Sequence, residues 1–169
     1  MVRSSIIFLV LIMIVFAASV VAQPPGSGAS APPEDHARSP LKLTVKLDKG
    51  TFTAADTIHI TLLLKNPTKK PVAVTFATGQ KYDVFLLKQP VDKKAPEVVW
   101  QWSLGMMFTQ MVTRTNIGAG QTVQYEAKYP PDDGTKQQPL TKGIYSIKAA
   151  ITTIGSSTKP EATVKFRVK

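Results

Sequence analysis

The stretch Leu41-Lys42-Leu43-Thr44-Val45-Lys46-Leu47 puts an aliphatic residue at every second position and a polar one between. That period of two gives an extended strand one apolar and one polar face, and it predicts a strand half-buried against a core. Lys49-Gly50 then supplies a turn. The pattern resumes with Ile58, Ile60, Leu62 and Leu64 alternating with Thr57, His59, Thr61 and the apolar Leu63. Asn66-Pro67-Thr68-Lys69-Lys70-Pro71 breaks the run, because proline removes a ladder donor and restricts the residue before it. Val72 to Phe76, Tyr82 to Leu87 and Val98 to Trp102 read as further strands, and Phe108 to Ile117 as a weaker one. Val123, Tyr125, Ala127 and Tyr129 alternate with Gln124, Glu126 and Lys128, and Ile144 to Ile154 and Ala162 to Val168 close the series. Helical spacing of apolar residues is interrupted everywhere by Pro, Gly or β-branched clusters. The reading is an all-β domain over residues 41–169, a sandwich or barrel of about eight or nine strands. The basic alternation Lys165, Arg167, Lys169 suits a guarded sheet edge.

The residues ahead of this domain read differently. Arg3 precedes an unbroken apolar run from Ile6 to Phe16, and Ser19-Val20-Val21-Ala22 ends it with small residues. This is the pattern of a signal peptide over residues 1–22, cleaved after Ala22 to leave Gln23 first; the other reading is an uncleaved membrane anchor. Either way the remainder is expected outside the cytoplasm, secreted or periplasmic, with Arg3 on the inner side. Residues 23–40 (QPPGSGASAPPEDHARSP) lack apolar periodicity and read as a Pro/Gly/Ser-rich linker. The chain has 169 residues, room for one ordinary domain. Hydrophobic residues make up 43% and charged ones 19%, which argues against a mostly disordered chain.

Several chemistries are set aside by composition. The chain has no cysteine, so disulfides, thiolate metal sites, cysteine nucleophiles and a lipid-modified N-terminal cysteine are excluded. Of its two histidines, His36 falls in the linker and His59 on the polar face of a strand, which leaves no credible Ser-His-acid set. Asp132-Asp133-Gly134 lacks the alternating carboxylates of a calcium loop and reads as a surface turn. No glycine-rich phosphate loop joins a strand to a helix. The expectation is a non-enzymatic protein without cofactor or metal. The net charge of +10 favours anionic surfaces, but the lysines are scattered instead of gathered with aromatics, and no specific nucleic-acid partner is expected. A membrane is a partner only if the leader stays uncleaved.

Three motifs follow one another in the middle of the domain: Thr78-Gly79-Gln80-Lys81-Tyr82-Asp83, then Val99-Trp100-Gln101-Trp102-Ser103-Leu104-Gly105, then Phe108-Thr109-Gln110. Together with Gly120-Gln121 and Gly143-Ile144-Tyr145, this succession resembles the bacterial BsuPI-type intracellular proteinase inhibitor family, over roughly Leu41 to Lys169. The resemblance implies an immunoglobulin-like antiparallel sandwich and a protein partner, a subtilisin-like serine protease for the family's namesake. An interaction module without inhibitory activity is the alternative.

The motif residues also have a reading of their own. Gly79, Gln80, Tyr82, Asp83, Trp100, Trp102, Phe108 and Gln110 are expected to be structural, with glycine at 79 permitting a positive φ. Trp100 and Trp102, two apart, should share a face with Val98 and act as core pillars; the competing reading makes them exposed anchors. Ser103, Leu104, Gly105, Met106 and Met107 are the candidate contact residues, an adaptable apolar loop fit for a protease cleft by β-addition. Against this, Leu104, Met106 and Phe108 stand at period two, which favours a bent strand packed into the core. The stretches Gln89 to Pro96 and Pro130 to Pro139 are the other loops that can meet a partner.

Overall fold

Alternating burial along the chain matches the alternating chemistry. The computed structural model describes residues 39–92, 95–130, 139–156 and 159–169, all within the compact unit Asp35–Lys169. Its strands, numbered in chain order, are β1 Lys42–Leu47, β2 Thr51–Phe52, β3 Ile58–Lys65, β4 Val72–Phe76, β5 Tyr82–Lys88 and β6 Glu97–Gln101. They continue as β7 Thr113–Ile117, β8 Thr122–Tyr129, β9 Gly143–Ile151, β10 Thr153–Ile154 and β11 Glu161–Val168. In β3, Ile58, Ile60, Leu62 and Leu64 are buried while His59 is exposed; in β1, Leu43 and Val45 are buried between exposed Lys42, Thr44 and Lys46. Burying each such side chain contributes about 1.5–3 kcal/mol, which is why pattern outweighs local propensity here.

The strands form three sheets: β1-β3-β8, β10-β4-β7 and β2-β11-β9-β5-β6. Every pairing is antiparallel except that of β11 with β2. Their inward faces share one core that includes Leu62, Leu64, Leu86, Tyr145, Ile147 and Phe166. Aromatic contacts cross it from the large sheet to β8. Tyr82 lies 5.1 Å from Tyr125, and Trp100 meets Tyr129 edge-on at 5.5 Å. Where β3 ends, the proline-rich break is held by Asn66, a fully buried amide. Its Nδ2 donates to the carbonyls of Lys70 (2.8 Å), Ile117 (2.9 Å) and Gly118 (3.0 Å), and its Oδ1 accepts from Thr68.

Four sequence expectations are corrected. The described residues hold eleven strands, since β2 and β10 are two-residue strands that alternation is too short to reveal. The weak strand begins only at Thr113, and Phe108 to Val112 is irregular. Val98 does not share the tryptophans' face. The register of β5 with β6 slips between Leu86 and Leu87, so Trp100 pairs with Leu86 but Val98 with Leu87, leaving Val98 56% exposed. Finally, β11 is not an edge at its basic end. Arg167 and Val168 pair with β2 on one side and β9 on the other. Residues 1–38, and with them the leader, nearly all of the linker and His36, lie outside the described residues, as do Asp132-Asp133-Gly134 and parts of both alternative loops.

Candidate functional site

The chain from Trp102 to Val112 carries β6 over to β7, from the large sheet to the β10-β4-β7 sheet. Its start is fixed by a buried acid. Asp83 lies on β5 and is 8% exposed. Its Oδ2 accepts from Gln101 Nε2 at 2.6 Å and Ser103 Oγ at 2.7 Å; its Oδ1 accepts from the Ser103 amide at 3.2 Å and the Val84 amide at 2.9 Å. Gln101 Nε2 also donates to Ser103 Oγ at 2.9 Å, and the Trp102 amide to the Val84 carbonyl at 2.8 Å. Two successive turns follow, with the Leu104 amide on the Gln101 carbonyl (3.3 Å) and the Met106 amide on the Ser103 carbonyl (3.1 Å). Gly105 sits within them at φ 83°, a left-handed conformation that side chains disfavour.

The turns send apolar side chains outward. Leu104 is 78% exposed, Met106 38% and Met107 98%, followed by Met111 at 61% and Val112 at 66%. The bent-strand reading of Leu104 and Met106 is therefore corrected: with their amides spent on turns, 103–106 has no ladder to join, and period two there does not mean burial. Beneath the loop stands an aromatic wall. Trp102 stacks on Tyr82 with centroids 4.3 Å apart and planes at 25°, and Phe108 lies 5.9 Å from Trp102. Tyr82 Oη donates to the Glu126 carbonyl at 2.6 Å. Burial pushes the Tyr82 phenol above its ordinary value, helped by Tyr125 and Glu126 beside it; burial also raises Tyr125.

The three motifs thus meet in space. The Gly79 amide donates to the Thr109 carbonyl at 2.8 Å, and a Cβ on Gly79 would fall 2.6 Å from Thr109 Oγ1. Close approach, not positive φ, is what glycine provides at 79; that expectation is corrected, since among the described residues the left-handed glycines are 105, 120 and 155. The turn is tied further by Gln80 Nε2 on the Tyr82 carbonyl (3.2 Å) and Thr152 Oγ1 on the Gln80 carbonyl (2.6 Å). Gln110 is exposed and donates to the Phe108 carbonyl at 3.1 Å. Trp100 is buried, whereas Trp102 is half-buried, so the first is a core pillar and the second props the loop. Residue types alone gave no sign of Gln101 and Thr109 as partners, since their roles come from neighbours distant in sequence. Met111 and Val112 were missed as surface because they read as strand.

Ser103 Oγ donates its proton to the Asp83 carboxylate, an arrangement that orders the start of the loop. Among the described residues no cluster of three or more His, Asp or Glu is placed to hold a metal ion, and no helix is long and apolar enough to cross a membrane.

Residues 45–155 match the family described as BsuPI, intracellular proteinase inhibitor. No curated protein matches the chain. Among solved structures it is similar to the sporulation control protein Spo0M of Bacillus subtilis, with 12% identity and a TM-score of 0.48 over 76% of this chain and 49% of that one. It is also similar to the CARDB domain of PF1109 from Pyrococcus furiosus, solved in complex with di-metal ions, with 13% identity and a TM-score of 0.43 over 76% and 87%. The alkylpurine DNA glycosylase AlkC of Pseudomonas fluorescens gives 9% identity and a TM-score of 0.44 over 76% and 30%. The chain thus spans about half the length of the first, and none of the three bears on its function. The family description overturns the location read from the leader: an intracellular inhibitor points to the cytoplasm, and the secreted or periplasmic placement is withdrawn. Inhibitors block catalysts and need no catalytic residues themselves. On the match across residues 45–155, the chain belongs to the BsuPI family of intracellular proteinase inhibitors.

Proposed function

We propose that this domain inhibits a subtilisin-like serine protease by pressing the Ser103–Met107 loop into its cleft, and that the β1-β3-β8 and β2-β11-β9-β5-β6 sheets carry that loop as an immunoglobulin-like sandwich. One observation carries the reading: in a member of an inhibitor family, Leu104 and Met107 stand almost wholly in water on a loop whose base is tied down. Exposed apolar side chains on an ordered loop lose little by binding and gain by desolvation. Methionine, unbranched and polarisable, fits pockets of varied shape. The sandwich is supported by a core to which both sheets contribute and by aromatic contacts spanning the two sheets.

The test is inhibition of subtilisin by the full chain and by the Leu104→Asp/Met107→Asp variant. Burying unpaired carboxylates in apolar pockets costs several kcal/mol, so inhibition should fall by roughly two orders of magnitude or more. The melting temperature should hardly move, because both side chains are exposed in the free protein. Undiminished inhibition would place the contact on the Gln89–Pro96 or Pro130–Pro139 stretch. A wild-type chain that inhibits no subtilisin-like protease would leave a plain interaction module.

A further inference from the structure

We infer that Asp83 is a positioning residue for inhibition: it holds the Ser103–Met107 loop in its binding conformation before the protease arrives. This rests on the reading that the loop meets the protease. Asp83 has an unusual place for a carboxylate, on a central strand of the large sheet, 8% exposed and facing Ala150 across the β5–β9 ladder. A strand position opposite alanine asks only for a residue of modest size. Removing a carboxylate from water is costly unless hydrogen bonds replace the lost hydration. Half of that replacement comes from the loop. Of the four hydrogen bonds Asp83 accepts, two come from Ser103, one from Gln101 at the end of β6 and one from the Val84 amide on its own strand.

The consequences pass along the chain in order. Fixing Gln101 and Ser103 fixes the two carbonyls on which the Leu104 and Met106 amides close their turns. Those turns, completed by Gly105, set the directions in which Leu104 and Met107 project. A loop already ordered does not lose that entropy on binding, and a protease cannot readily draw it into the extended form that cleavage needs. Asp83 touches no partner itself and acts through Ser103.

The experiment uses the full chain in three forms: wild type, Asp83→Ala, and Ser103→Ala, which removes the Oγ bond while keeping the backbone one. Amide hydrogen exchange is followed without protease, and inhibition and loop cleavage are followed with subtilisin. Expected for Asp83→Ala is faster exchange at Ser103, Leu104 and Met106 with unchanged exchange in β9 and β11. Inhibition should weaken by on the order of tenfold to a hundredfold, as charge-assisted bonds of this kind predict, with cleavage appearing near Met106. Ser103→Ala should show the same changes more weakly, and it decides the matter if Asp83→Ala does not fold. Unchanged exchange at the loop amides overturns the inference, as does exchange that rises equally in the core. Full inhibition by Asp83→Ala, alongside its loss in Leu104→Asp/Met107→Asp, overturns the role of Asp83 and leaves the contact loop standing. A wild-type chain that does not inhibit overturns both.

Discussion

Trp100 and Trp102 stand two positions apart and keep different company. The first packs edge-on against Tyr129 inside the core; the second stacks on Tyr82 at the rim, where Phe108 and the loop begin. Trp100→Ala should therefore cost about 3–5 kcal/mol in a urea melt, the usual penalty for emptying a large aromatic site. An unchanged melt would place that indole at the surface. Gly79 makes a subtler case. Its backbone accepts a side chain conformationally, yet a methyl there would meet Thr109 Oγ1 at 2.6 Å. Gly79→Ala should cost about 1 kcal/mol, the low end of overpacking, because the threonine hydroxyl can rotate away. Thr109→Ala should relieve most of that cost in the double variant, since Thr109 Cβ lies at an ordinary 3.8 Å. Additive losses would mean that strain in the Gly79 backbone, not the clash, is responsible.

At the scale of elements, the strands whose inward residues simply alternate were legible: the stretches 41–47, 58–64 and 72–76 fall where β1, β3 and β4 lie. Alternation failed where backbone pairing and side-chain pattern part company. The bulge in β5–β6 turns Val98 outward although it stands two before Trp100, and nothing in Val98-Val99-Trp100 announces the extra residue. From Leu104 to Val112 apolar residues recur without a ladder to hold them, and period two cannot tell a core strand from an apolar loop. The motif residues of the site were visible in sequence; their convergence around Asp83 and Gly79 was not, because it depends on register between strands far apart in the chain. Asn66 was likewise read only as the start of a break. It ties the end of β3 to the β7–β8 turn, with its amide shared among three carbonyls. Asn66→Ala should destabilise by about 1–3 kcal/mol through those unsatisfied acceptors. Asn66→Asp should cost more at neutral pH, since a carboxylate oxygen would then face carbonyls, and part of the loss should return on acidification. An Asn66→Asp variant that melts like wild type at pH 7 while Asn66→Ala is destabilised would show that the clip acts by filling space and not by donating hydrogen bonds.

For the molecule as a whole, the β1-β3-β8 and β2-β11-β9-β5-β6 sheets meet along a seam that includes Tyr82, Tyr125 and Tyr129, and that seam sets an alkaline limit. Burial raises Tyr82, Tyr125 and Tyr129 above the ordinary phenol value, with Tyr125 and Glu126 adding at Tyr82 and Tyr145 adding at Tyr129. A phenol whose pKa is raised on folding keeps its proton longer in the native state than in the unfolded one. Between the two values the unfolded chain binds fewer protons, so stability falls as pH rises. The contribution is thus complete below the unfolded phenol value of about 10 and is lost as pH climbs through the raised native values. Tyrosinate absorbance reads the phenols directly. In the native chain the absorbance rise should begin at higher pH than in the same chain in urea, and should steepen where the folding stability falls to zero and the seam opens. Tyr82→Phe should remove part of that delayed absorbance and lose the bond to the Glu126 carbonyl. Native and urea-unfolded titrations that coincide would show the phenols to be in water and the two sheets to be held by their aliphatic residues alone.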